Sequence, residues 1–394
     1  MPPATRSTAC STACSTTRSS FSARRVSLTP DRHVAERVAR LLRAVIGQDG
    51  PTGAAANDPA ANDPAAWVAV AQEHRIVPLL HAAARTDGVV ERAVTEQVRG
   101  LQLEVASAAV RIEHTALPVF ERLEAASVPY AVLKGLATAH LDHADPSWRQ
   151  FGDVDLLVAP THLRRVRELL EADGWRQGYA LPDRHERFTH AVTFHAASLV
   201  ELDVHQRVGH RALGWLVPTE ALLRDRMPFE LAGRTVWALG ELDRTIHACI
   251  HSVSSRGEYR RLSSVADVLL LSYLHEDRAA EVVERAGAWR VRSLVEAGVR
   301  DAWTAAQLPL PDGWADAFRT PPVRRSWLVD RAYLGERRRP ITEELAHLRH
   351  LPGTRDRASY VWGLLAPGAE YRAAQGRRGV RAQLRYLWGR LRSR

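Results

Sequence analysis

Residues 149–158 read RQFGDVDLLV, and this stretch decides the fold. Its apolar residues Val154 and Leu156 alternate with Asp153 and Asp155, the two-residue period of a strand with one buried face. Both carboxylates then project side by side from the other face. Two adjacent anions repel and raise at least one pKa unless a cation lies between them. A hard divalent ion is the economical partner, because it takes oxygen ligands and keeps its remaining positions for water and phosphate. Taken alone, an Asp-X-Asp strand is more often a solvated face than a site, so the flanking sequence has to carry the rest.

Upstream, VPYAVL at 128–133 is a short β-favouring run that ends at Lys134-Gly135 and passes into the helix-like LATAHL, giving a strand-turn-helix unit. Lys134 is the only lysine among the 54 Lys and Arg residues. Arginine serves wherever a bare positive charge suffices in so biased a composition, so a retained lysine marks a place for a compact ammonium on a slim stem. Gly135 permits close approach of backbone to a phosphate, and the helix start after it favours an anion. Downstream, Pro160 closes the strand and a helix is expected from about His162 to Ala172, ending at Gly174-Trp175. Phe188 to His195 and Leu199 to Val204 read as a hairpin turning near Ala196-Ala197-Ser198. In its second strand Glu201, Asp203 and His205 share one face. Asp203 is thus a third carboxylate able to complete a two-metal site and accept a proton from an attacking hydroxyl, with His205 orienting it or lining the pocket.

Farther out, apolar residues recur at helical spacing from Asp31 to Val45 and from Trp67 to Leu123, separated by Gly50-Pro51 and the duplicated ANDPA of residues 56–65, a linker. Beyond residue 240 the spacing is helical again, broken by prolines. Residues 1–30 lack acidic residues and carry a tandem STAC repeat, so they are expected to be disordered; a start codon placed too early explains them better than a transit peptide. Arg377 to Arg394 form a basic amphipathic helix, expected to dock its apolar side on the body and able to meet an anionic partner. The formal charge of +9 speaks to phosphate-bearing partners without specifying a fold. Three cysteines, two of them inside the repeat, give neither a zinc knuckle nor a disulfide framework, which fits a reducing cytoplasm. No run approaches the roughly 18 apolar residues of a membrane-spanning helix.

The runs VLKGLATAHL (132–141), WRQFGDVDLLV (148–158) and ELDVH (201–205) resemble the large uncharacterised nucleotidyltransferase family of bacteria, a branch of the DNA polymerase beta superfamily. The likeness extends from about Trp67 into the C-terminal helices and includes HACIHSVSSRGEYRRLSSVADVLLL at 247–271. It implies an α+β fold: a polymerase-beta-like core, a small mixed sheet with helices, over residues 126–240. This core is embedded between an N-terminal helical region (31–125, linker at 47–66) and a C-terminal one (241–394). Asp153 and Asp155 match the family's metal-binding pair, Asp203 its third carboxylate, Lys134-Gly135 its glycine turn, and Arg149 the basic residue before the pair. The wider superfamily carries Gly-Ser or Gly-Gly at that turn, where this chain has Lys-Gly. His251, Arg261 and Asp267 match a helical motif and are expected to make core hydrogen bonds.

The resemblance further implies a Mg2+-dependent enzyme, with Mn2+ as a substitute. It would transfer a nucleoside monophosphate from an NTP to an acceptor that is a small molecule, peptide, protein or RNA end. Lys134 and Arg149 would neutralise phosphate charge. The alternative is a catalytically weak nucleotide- or RNA-binding module, or a toxin-antitoxin component, on the same fold. The intact set of three carboxylates argues against it. An arginine-rich adaptor for membrane surfaces rests on the C-terminal helix alone.

Overall fold

The structure is a computed structural model describing residues 39, 41–43, 64–86, 92–178, 186–255, 261–321, 326–335 and 340–365. The STAC repeat, the basic C-terminal helix and residues 56–63 of the ANDPA linker lie outside these, whereas its last two residues, Pro64 and Ala65, already belong to a helix. After helical residues 39 and 41–43 come α1 (Pro64–Glu73), α2 (Val77–Thr86) and α3 (Arg92–Ala125). Then come β1 (Tyr130–Leu133), α4 (Lys134–Leu141), β2 (Asp153–Val158), α5 (Leu163–Ala172), β3 (Arg176–Gln177), β4 (Ala191–His195) and β5 (Glu201–His205). Two short helices, α6 (Ala212–Leu216) and α7 (Thr219–Arg224), precede the hairpin β6 (Met227–Leu231) and β7 (Arg234–Ala238). The chain continues through α8 (Glu241–Ser254), α9 (Leu262–Leu274), α10 (Ala279–Ala288), α11 (Arg292–Ala305) and α12 (Asp312–Arg319). Three further helices are α13 (Trp327–Tyr333), α14 (Pro340–His350) and α15 (Thr354–Leu365).

The seven strands form one mixed sheet in the order β3-β4-β5-β2-β1-β7-β6, so the fold is α+β with helical regions on both sides in sequence. β2 runs antiparallel to β1 and parallel to β5, with Asp155 opposite Asp203 and Leu157 opposite His205. β4 and β5 pair antiparallel as the expected hairpin. Its first strand starts at Ala191 rather than Phe188.

The strand alternation separates two cores. Val132, Val154, Leu156, Val158, Leu202 and Val204 pack with Ile112, Phe120 and Leu123 of α3 and with Leu163, Val166 and Leu170 of α5. Each fully buried aliphatic side chain there contributes roughly 1.5–3 kcal/mol of hydrophobic stabilisation. Ala131, Leu133 and Leu157 belong to the other core, shared with Ile76 and Leu80 near the N-terminus and with Ile246, Ile250 and Leu269 of α8 and α9. One core therefore unites the N-terminal and C-terminal helices across the sheet face that also carries the aspartates.

Candidate active site

The parallel pairing of β2 with β5 sets Asp155 and Asp203 abreast on one face. The side chain of Asp155 is buried, and its Oδ1 accepts two hydrogen bonds, from Lys134 Nζ at 2.7 Å and from His205 Nε2 at 2.8 Å. Asp203 is held differently, by the neutral hydroxyl of Thr193 on β4, whose Oγ1 donates to Oδ1 at 2.5 Å. One ligand atom from each of Asp155, Asp203 and His205 lies within 4.8 Å of the others. Asp153 stands outside that group. It occupies the first, half-buried position of β2, where Arg75 NH1 approaches its Oδ1 at 3.7 Å.

The two aspartates of the DVD sequence meet opposite electrostatics. Burial alone would push the Asp155 carboxyl up, but the Lys134 ammonium and the His205 hydrogen bond outweigh it and hold it well below the ordinary carboxylate range. At Asp153 burial and the neighbouring Asp155 charge win over Lys134 and Arg75, and its carboxyl is raised. Burial disfavours the charged Lys134, yet the Asp155 charge and hydrogen bond raise its pKa, so the ammonium stays protonated.

Lys134 opens α4 with a positive φ of 43°, a left-handed conformation that costs a non-glycine residue about 1–3 kcal/mol. Its attachment to Asp155 compensates. Gly135 has a packing reason to be glycine, since a Cβ there would meet Phe151 Cβ at 2.7 Å. Arg149 points to the C-terminal helices rather than to the carboxylates of β2: its Nε and NH2 donate to the two oxygens of Asp267 on α9, at 2.6 and 2.7 Å. NH1 donates to the Gln150 carbonyl. Asp267 thus makes the core interaction expected of it, whereas Arg261 has an exposed side chain just before α9.

A layer of histidines lies behind the carboxylates. The ring of His190 is 5.4 Å from that of His205 and 3.5 Å from that of His210. Burial, then the His210 and His205 charges, push His190 down to about 2, and burial holds His210 at about 4. Below Lys134 a small polar cavity is lined by Thr138, His247, His251, Ser264 and Asp267. Burial keeps His247 neutral, down to about 3. Sequence reading missed Thr193, His190, His210 and Arg75. The first has a recognisable signal, the face it shares with Asp203 across the hairpin; the others meet the site only through loops.

Residues 60–302 match a family described as uncharacterised nucleotidyltransferase. A search of curated proteins gave no match. Among solved structures, the crystal structure of an antigenic nucleotidyltransferase-like protein from Paracoccidioides brasiliensis is similar at 16% identity and a TM-score of 0.32, covering 53% of this chain and 97% of that one. The matched span takes in α1 to α10, most of α11 and every side chain of the carboxylate edge, and the chain belongs to the uncharacterised nucleotidyltransferase family.

Proposed function

We propose that the chain transfers a nucleoside monophosphate from an NTP to a hydroxyl or phosphate oxygen of an acceptor, releasing pyrophosphate, at the edge formed by β2 and β5. The observation that carries this reading is the convergence of Asp155, Asp203 and His205 within 4.8 Å inside a family-matched span. Two carboxylates and an imidazole fit a divalent ion, and the Lys134 ammonium on Asp155 marks the same preference for positive charge. Asp155 and Asp203 would hold Mg2+, or Mn2+ in its place, with His205 offering a nitrogen and Asp153 joining from the strand end. A bound ion would supply charge stabilisation at the α-phosphate and acidify an acceptor hydroxyl.

The chain's own groups do the remaining work. Asp203, oriented by Thr193, takes the acceptor proton as the acceptor oxygen bonds to the α-phosphorus and the bond to the pyrophosphate oxygen breaks. Lys134 neutralises phosphate charge as it leaves Asp155. Arg149 acts at one remove, by fixing the loop before β2 to α9.

The test is Mg2+-dependent label transfer from each of four α-phosphate-labelled NTPs in lysate, comparing the parent chain with Asp153→Ala and Asp203→Ala. Label transferred by the parent and lost in both variants supports the reading and identifies the acceptor pool. No transfer from any NTP by a folded parent chain would favour a nucleotide- or RNA-binding module instead.

A further inference from the structure

Two arginines distant in sequence are brought near Asp153, and among the described residues neither has a hydrogen-bonded carboxylate of its own. Arg75 lies in the turn between α1 and α2, with a left-handed backbone at φ 54°. That turn is tied to the start of α9. The amide of Leu262 donates to His74 Nδ1 at 3.4 Å, and the amide of Ser263 donates to the His74 carbonyl at 3.3 Å. Arg261 immediately precedes Leu262. The guanidinium of Arg75 lies over Gly152, where an added Cβ would meet its Cζ, NH1 and NH2 at 3.5 Å each. Gly152 is therefore the floor on which the guanidinium rests beside Asp153.

The electrostatics of the pair are unbalanced. Arg75 touches Asp153 only at 3.7 Å, beyond ordinary hydrogen-bond length. Arg261 makes no ion pair among the described residues, and its partial desolvation and the repelling charge of Arg75 lower its pKa against the opposing pull of Asp153. Holding two like charges near one another, one of them on the left-handed backbone of the turn, is unfavourable unless an anion joins them. The charge balance identifies the anion. While Lys134 stays on Asp155, that ammonium and a divalent ion would balance Asp153, Asp155 and Asp203, and Glu201 beside Asp153 would offset one of the two arginines, so net positive charge is left for the substrate. Arginine presents a fork of donors that matches phosphate oxygens.

We infer that Arg75 and Arg261 form a clamp for the polyphosphate of a nucleotide, gripping the end that leaves as pyrophosphate and assembled only when the N-terminal turn docks on α9. The inference rests on the nucleotidyl-transfer reading. It also assigns a role to the N-terminal helices and to Arg261, which is exposed rather than hydrogen-bonded in the core as expected.

The test is calorimetric binding of inorganic tripolyphosphate, with Mg2+ present, to the full-length parent chain, Arg75→Gln, Arg261→Gln and the control Arg319→Gln. Thermal melts confirm folding, and Arg75→Lys and Arg261→Lys stand in for a glutamine variant that fails to fold. Loss of a charge-assisted phosphate contact should weaken binding about ten- to a hundredfold in each glutamine variant, with partial recovery in lysine and no change in the control. The parent affinity should also fall as salt rises. Equal affinity in all variants would overturn the clamp while leaving nucleotidyl transfer, which label transfer tests separately, intact. Absence of tripolyphosphate binding by the folded parent would overturn it as well; if label transfer also failed, the functional reading would fall with it.

Discussion

The molecule buries charge in two ways, in two places. Around α8 and α9, guanidiniums and carboxylates are matched fork to fork: Arg149 with Asp267, Arg244 with Asp142 at 2.7 and 3.2 Å, and Arg285 with Asp243 at 2.5 and 2.8 Å. Both oxygens of each carboxylate are satisfied. At the edge of β2 and β5 the matching fails. Lys134 and His205 crowd one oxygen of Asp155, Asp203 is held by a neutral hydroxyl, and Asp153 has one loose arginine. A saturated pair is a joint, whereas a cluster with spare oxygens and excess negative charge has the composition to take a cation.

The sharpest way to break this contrast is to neutralise one carboxylate in each place. Asp203→Asn should lower label transfer by at least about a hundredfold, the scale of losing a group that stabilises or deprotonates the reacting atoms, while the melting temperature stays near that of the parent. Asp267→Ala should do the reverse in kind: it leaves the buried Arg149 charge uncompensated, so a urea titration should read a stability loss of about 3–5 kcal/mol. A double replacement, Arg149→Met with Asp267→Leu, should recover much of that loss. If Asp267→Ala folded with parent stability, the joint would not be a joint.

Acid should act through the histidine layer. His190, His210 and His247 are held neutral, at about 2, 4 and 3, by burial first. Their unfolded pKa is about 6.5, so below that pH the unfolded chain binds protons that the native state refuses. Stability should therefore fall as pH drops from about 6.5 towards 4, by up to ~1.4 kcal/mol per pH unit for each histidine. Denaturant midpoints at pH 7 and pH 5 check the sign; an unchanged midpoint would mean that these rings take up protons in the native state as readily as in the unfolded chain. The smallest effect is expected from the exposed pair Arg319–Asp316 on α12, where Arg319→Gln should leave stability and activity unchanged in the same assays.

Much of the carboxylate edge was legible in the sequence because strands and one-sided burial have a short period. DVDLLV and ELDVH place their acids on one face by alternation alone, and Lys134 stood out against an arginine-rich background. The hairpin β6–β7 went unread for a local reason. Pro228 argues against a strand, yet β6 is the outermost strand of the sheet, where a missing amide hydrogen is tolerated. The register of β4 also escaped. A turn centred on Ala197 would set Asp203 opposite Ala191, but the turn includes Leu199 at φ 64°, which brings Thr193 there instead. Arg149 was read as a phosphate ligand and Arg75 went unassigned because their partners are fixed by packing between segments far apart in the chain: Asp267 lies 118 residues from Arg149. Local pattern carries no information at that range.

The most direct measurement is Mn2+ binding followed by electron paramagnetic resonance on the parent chain, Asp155→Asn, Asp203→Asn and Asp267→Ala. The expected result is a tightly held ion in the parent, retained in folded Asp267→Ala and lost in both strand variants. Mn2+ held equally well by Asp155→Asn and Asp203→Asn, or not held by the folded parent chain, would contradict the assignment of this edge as the cation site.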